Sequence, residues 1–131
     1  MSSIDYETRM VEMVFPDQTN HYGTLFGGHA LRLMDMSAFI TASRFARQTM
    51  VTVSSERVDF KVPVLHGQLV ELVGRIAHVG RTSVTVEVDL FAEDLLSGDR
   101  ELSARGKFTL VAVDQQRKPV LINNEARREV V

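Results

Sequence analysis

The segment Leu25–Ala46 limits most strongly what this chain can fold into. Its apolar residues Leu31, Leu33, Met34, Met36, Phe39, Ile40 and Phe45 cover most of a helix's circumference instead of one stripe. Such a helix must be enclosed by other structure. No other long helical pattern exists, and the segments after it read as strands. Thr49–Val62 is rich in β-branched residues, and its apolar parity switches between Val51/Val53 and Val58/Phe60/Val62, which predicts a bulge near Ser54–Arg57. Pro63–Gly67 reads as a turn and Gln68–Val79 as a strand. Val84, Val86, Val88 and Leu90 alternate with Thr85, Glu87 and Asp89, the pattern of a sheet covered on one face and solvated on the other. A turn at Ser97-Gly98-Asp99 leads to a last strand, Arg100–Asp114, and Tyr6–Phe15 is a weaker first strand. One enclosed helix and about five mostly antiparallel strands define an α+β fold, with the sheet wrapped around the helix. A sheet this small keeps an open edge, which a second copy of the chain can satisfy.

At 131 residues the chain forms one domain, with residues from Gln115 onward reading as a polar, basic surface tail. The net charge of -2 argues against a protein that coats nucleic acid, while leaving room for a local basic pocket. Without cysteine there is neither a disulfide nor a thiolate metal site. The polar N-terminus MSSIDYETRM lacks a signal-type apolar region, and no uninterrupted apolar run is long enough to span a membrane. The expected location is cytoplasmic.

Asp35 stands in the middle of the apolar helix. A carboxylate in a water-poor place costs several kcal/mol unless it is paired, protonated or used. Burial would raise its pKa toward the range of a general base. The residues leave a second reading open: Asp35 pairs with Arg32, one turn earlier, or with a basic group elsewhere, and is structural.

No G-x-S-x-G, P-loop, G-x-G-x-x-G or H-E-x-x-H motif is present, and His21, His29, His66 and His78 lack metal-ligand spacing. Gly27 and Gly28 lie at the helix N-terminus, where free amides can stabilise an oxyanion; close packing or a bend would explain them equally. Gly27 and Asp35 are separated by about 12 Å along a helix. A reacting carbonyl must lie about 3 Å from both its oxyanion donor and its attacking group. Two chains with antiparallel helices would place Gly27 of one opposite Asp35 of the other, so a site at a dimer interface is expected. After Gly80, the run Arg81-Thr82-Ser83 offers a cation and two hydroxyls suited to a phosphate, although such a run also occurs on ordinary surfaces.

Taken together, T-N-H-Y-G-T-L-F-G-G (19–28), L-M-D-M (33–36), V-D-F-K-V-P-V (58–64), G-R-T-S (80–83) and K-F-T-L-V-A-V-D (107–114) resemble the hot-dog-fold acyl-CoA thioesterases. The resemblance is to the bacterial YciA-like group and related animal acyl-CoA hydrolases, and runs from about Met10 to Pro119. It implies hydrolysis of fatty acyl-CoA to free acid and CoA. By it, Asp35 is the base that activates water, or in a disputed variant the nucleophile. Asn20, from the opposite subunit, orients water or thioester, and Gly27 with Gly28 donates backbone N–H groups to the thioester oxygen. Arg81, Thr82 and Ser83, with Gly80 at their turn, meet the CoA phosphates, and apolar groove residues between subunits hold the acyl chain. The resemblance further implies a homodimer, assembled as a trimer of dimers, and no metal or other cofactor.

Two positions depart from the family's pattern. Gln68 follows His66-Gly67 where an acidic residue is expected, and Ser37 stands where glycine or alanine is commoner. Two rivals remain: a hot-dog dehydratase of hydroxyacyl thioesters, whose histidine-bearing loop motif is missing here, and a non-catalytic acyl-CoA sensor.

Overall fold

The computed structural model describes residues 5–127. The elements are β1 (Glu7–Met13), a single 3-10 turn (Pro16–Gln18), α1 (Gly27–Ala46), β2 (Met50–Phe60), β3 (Leu69–Val79), β4 (Ser83–Glu93), β5 (Arg100–Ala112) and the short α2 (Asn124–Arg127). All strand pairs are antiparallel, in the order β1-β3-β4-β5-β2, and α1 touches every strand. The α+β architecture expected from the sequence is therefore present.

The helix begins at Gly27, two residues later than its apolar pattern suggests. Leu25 is used elsewhere: its amide donates to the Val64 carbonyl at 2.7 Å, and it bridges Thr19 in an antiparallel pair. At the other end Arg47 takes a left-handed conformation (φ 53°) and donates its amide to the Ser43 carbonyl, closing α1. The buried face of α1 carries Leu33, Met34 and Phe45 among the small residues Ala30, Ser37, Ala38, Thr41, Ala42 and Ala46. Small side chains let the sheet approach closely, and β3 answers with Gly74, where a Cβ would lie 2.9 Å from the Ser37 hydroxyl. Thr8 of β1 and Thr41 share a buried hydroxyl–hydroxyl bond in the same layer.

The expected bulge in β2 is present, with register shifts against β5 between Thr52 and Ser54 and between Glu56 and Asp59. Arg57 at the second shift has φ 24°. The strand is a sheet edge, and residues 52–57 along it are exposed.

Two sequence expectations need correction here. Alternation places Asp89 on the solvated face of β4, yet it is only 2 % exposed. Arg105, its direct cross-strand neighbour on β5, reaches both carboxylate oxygens (2.6 and 3.0 Å), and Arg75 of β3 adds a bond at 3.0 Å. Burial pushes this carboxyl upward, but the hydrogen bonds from Arg105 and Arg75, with their charges, outweigh that and hold its pKa below the usual value. Long arginine stems cover a short aspartate, which alternation alone cannot show. The second correction concerns part of the segment from Gln115, expected to be a polar, basic surface tail: residues 115–119 are exposed as expected and residues 128–131 lie outside the described residues, but the stretch between them packs on the domain. Val113 bridges Pro119, and Ile122 and Ala126 are 2 % and 4 % exposed within the core. Their apolar side chains bring this segment back onto the domain.

Candidate active site

Asp35 lies on the face of α1 turned away from the buried stripe, and within one chain it is exposed. The expectation of a buried carboxylate therefore fails for the isolated protomer, because β2 ends beside the helix without covering it. Nor does Asp35 form an ion pair with Arg32 or any other basic side chain among the described residues; its partner is Thr52 of β2, whose hydroxyl donates to Oδ1 at 2.8 Å. Oδ2 has no protein partner among those residues. Thr52 was missed in the sequence because a threonine in a strand has no distinguishing pattern.

Asp35 and Thr52 line an open groove of about 440 Å³ between α1 and β2, together with Gly28, Leu31, Arg32 and Val53. Gly28, Leu31, Arg32 and Asp35 are spaced as neighbours on one helix face. Large apolar side chains are exposed around it: Leu31, Met36, Phe39 and Val53. A carboxylate beside such a surface becomes desolvated when a second body covers it.

The N-terminal end of α1 forms a separate centre. Phe26 occupies the cap position without a side-chain cap bond, and the first turn has no acidic residue. The amides of Gly27, Gly28 and His29 find no acceptor among the described residues, the first helical bond being from Ala30 to the Phe26 carbonyl (3.0 Å). Gly27 borders a cleft of about 340 Å³ with Thr24, Ala30, Phe60 and Val64. The groups here present free N–H donors and partial positive charge to an open space.

Asn20 organises the loop that leads into this end. Its Oδ1 accepts bonds from the Tyr22 amide (2.9 Å), the Thr24 amide (3.2 Å) and the Thr24 hydroxyl (3.0 Å). Its own amide donates to the Thr24 carbonyl at 2.8 Å, and Gly23 closes the turn with φ 78°. With the oxygen saturated, the side-chain NH2 is left as a donor without a protein partner among the described residues.

The turn Gly80–Ser83 joins β3 to β4. Its Gly80 amide donates to the Ser83 carbonyl at 2.8 Å, and a Cβ on Gly80 would lie 2.7 Å from the Ser83 hydroxyl. Thr52, Leu110, Val84 and Val79 form one row across β2, β5, β4 and β3, so the turn closes the sheet end that carries Thr52. Strand spacing sets Val84 about 10 Å from Thr52.

The structure thus brings Asp35 together with Thr52 and Gly28, and places the Arg81 turn at the same sheet end. It keeps Asn20 and Gly27 apart from Asp35: the Asn20 loop pairs through Thr24 with Leu65, beyond the Phe60 end of β2. No group of acidic, histidine or cysteine side chains able to hold a metal occurs among the described residues, and no described helix is long and apolar enough to cross a membrane.

One long helix against a five-stranded antiparallel sheet, with a carboxylate beside the edge strand, defines the hot-dog class. Residues 22–98 match the thioesterase superfamily. A Bacillus subtilis protein described as an uncharacterized acyl-CoA thioester hydrolase is 41 % identical over 107 residues, covering 82 % of this chain and 62 % of that protein. The Escherichia coli acyl-CoA thioester hydrolase YciA is 33 % identical over 110 residues, covering 82 % and 83 %. The Staphylococcus aureus acyl-CoA hydrolase, solved with butyryl coenzyme A and coenzyme A, superposes with a TM-score of 0.84 at 29 % identity, covering 94 % of this chain and 79 % of that one. It has also been solved with an aspartate, a threonine or an asparagine replaced by alanine. An apo-hexameric acyl-CoA thioesterase superposes with a TM-score of 0.86 at 38 % identity, covering 94 % and 83 %. The chain belongs to the thioesterase superfamily, and within it to the acyl-CoA thioester hydrolases.

Proposed function

We propose that this protein hydrolyses fatty acyl-CoA to free acid and CoA at sites shared by two subunits. The observation that carries the reading is the Asp35 carboxylate, oriented through Oδ1 by Thr52 and open at Oδ2 toward a groove. Water held by Oδ2 attacks the thioester carbonyl carbon while its proton passes to Asp35. The developing oxyanion is held by the free amides at Gly27 and Gly28 of the second subunit and by the NH2 donor of that subunit's Asn20. Collapse of the tetrahedral intermediate breaks the C–S bond, and the departing CoA sulfur takes the proton from Asp35. Each oxyanion donor is worth about 2.7–4 kcal/mol in such reactions.

Two further points support this reading. In the S. aureus hydrolase the substituted asparagine, aspartate and threonine follow one another at intervals of fifteen and seventeen residues, the intervals from Asn20 to Asp35 and from Asp35 to Thr52 here. The helix geometry keeps Gly27 about 12 Å from Asp35 of the same chain, too far for one reacting carbonyl. The open edge of β2 and the exposed Leu31, Met36, Phe39 and Val53 provide the surface for a homodimer. Trimers of such dimers follow the hexameric relative. Arg81, Thr82 and Ser83 bind the CoA phosphates.

The test is thiol release from acyl-CoAs of graded chain length. Hydrolysis by the wild type, abolished in Asp35→Ala with CoA binding retained, is the expected result. Undiminished turnover in that variant sinks the base assignment. CoA binding without any turnover by the wild type would instead favour a sensor, and hydration of enoyl thioesters a dehydratase.

A further inference from the structure

The segment after β5 holds the turn that carries Arg81. Two backbone carbonyls of that turn are fixed from outside: Ala112 of β5 donates to Thr82 (2.9 Å), and Ile122 donates to Arg81 (2.9 Å). Ile122 belongs to a strap, residues 119–123, that runs beside the end of β5. It is tied there by the Val113–Pro119 bridge and by the Val120 amide on the Ala112 carbonyl at 2.8 Å. The Ile122 side chain is 2 % exposed in the core and Val120 packs against it, so the strap's register is set by burial.

A single side chain locks this strap from the helix side. Gln48, just beyond the left-handed cap of α1, donates through Nε2 to the Leu121 carbonyl (2.9 Å) and accepts through Oε1 from the Asn123 amide (2.9 Å). The two bonds bracket Ile122, the residue that holds Arg81. Asn123 adds a third tie, its side-chain NH2 donating to the Ala46 carbonyl at 2.8 Å. The chain of contacts runs from the end of α1 through Gln48 to the strap, and through the Ile122 amide to the peptide of Arg81.

We propose that Gln48 and the 119–123 strap are positioning elements for CoA: they fix the peptide plane of Arg81 and thereby its side chain's aim at the CoA phosphates. This rests on the assignment of Arg81 to CoA. Both polar ends of Gln48 are spent on the strap, so its loss should weaken the nucleotide end of binding and leave the chemical step alone.

The experiment measures kcat and KM for an acyl-CoA and for the matching acyl-pantetheine thioester, which lacks the nucleotide and its phosphates. For Gln48→Ala, KM for acyl-CoA should rise roughly three- to tenfold, the equivalent of one or two neutral hydrogen bonds, with kcat unchanged. KM for acyl-pantetheine should not move. Gln48→Glu, which keeps the acceptor for Asn123 but sets a carboxylate oxygen against the Leu121 carbonyl, should raise KM for acyl-CoA at least as much and covers the case in which the alanine variant does not fold. Unchanged KM for acyl-CoA, or equal rises for both substrates, overturns the proposal. Arg81→Ala serves as the reference: if it affects both substrates alike, the CoA assignment itself falls and the strap's role with it. An Arg81→Ala effect confined to acyl-CoA, without one for Gln48, removes the strap alone.

Discussion

The hydroxyl of Thr52 donates to Oδ1 of Asp35 at 2.8 Å and ties α1 to the edge strand β2. One carboxylate oxygen is thereby oriented, while the other has no partner among the described residues and is the one proposed to take the proton. Replacing Thr52 by valine keeps the shape and removes the donor. The kcat should fall about tenfold to a hundredfold, with KM nearly unchanged, because a misplaced base costs rate more than binding. Thr52→Ser should restore most of it. Steady-state kinetics on one acyl-CoA reads both outcomes.

In the proposed site Asn20 separates loop support, through its oxygen, from catalysis, through its NH2. Asn20→Asp keeps an oxygen for Tyr22 and Thr24 but removes the NH2 donor, so kcat should drop about a hundredfold or more while the melting temperature changes little. Asn20→Ala also frees three loop donors and should cost a further stability loss of roughly 1–3 kcal/mol. Thermal unfolding beside kinetics distinguishes the two variants.

Asp89 predicts a pH signature in stability. Its carboxyl is depressed in the folded protein, so its contribution is present above the ordinary carboxylate range and is lost as pH falls through the folded value. Asp89→Asn should lower stability near neutrality by about 2 kcal/mol, a figure reduced from that of a fully buried pair because both arginines remain partly exposed. The gap between variant and wild type should shrink on acidification. Urea unfolding at several pH values measures it.

Ser37 is buried with a hydroxyl that has no partner among the described residues, facing Gly74. Removing an unsatisfied buried hydroxyl should stabilise, so Ser37→Ala is expected to raise unfolding free energy by about 1 kcal/mol. Gly74→Ala should do the opposite, by roughly 1–3 kcal/mol, since its Cβ would meet Ser37. Denaturant midpoints of the two variants provide the comparison.

The long helix, the β2 bulge and the turn glycines are legible because each follows from local pattern, but the helix is covered on one side only: Leu31, Met36 and Phe39 stay exposed on the face that all-round apolarity predicts to be enclosed. Asp35 stood out as a charge among apolar residues, but its exposure in the single chain was hidden, since sequence does not say which helix face the sheet leaves open. Thr52 and Asp89 were invisible for a related reason. Their roles depend on which residue lies across a strand or a helix, and pairing register is a long-range property. The segment after Gln115 does not read as packed because its apolar residues Val120, Leu121, Ile122 and Ala126 are too few to form a periodic pattern; Ile122 and Ala126 are nonetheless buried, and the ties of the strap are long-range bonds.

The proposed division of the site between two chains is tested most directly by mixing subunits. Asn20→Ala and Asp35→Ala chains, each expected to be inactive alone, are allowed to exchange, with exchange verified by mass spectrometry of the intact assembly. If each site takes Asn20 from one chain and Asp35 from another, random mixing leaves roughly one site in four intact, and about a quarter of wild-type thiol release should return. A mixture that exchanges fully and stays at the background of the single variants would contradict the shared site.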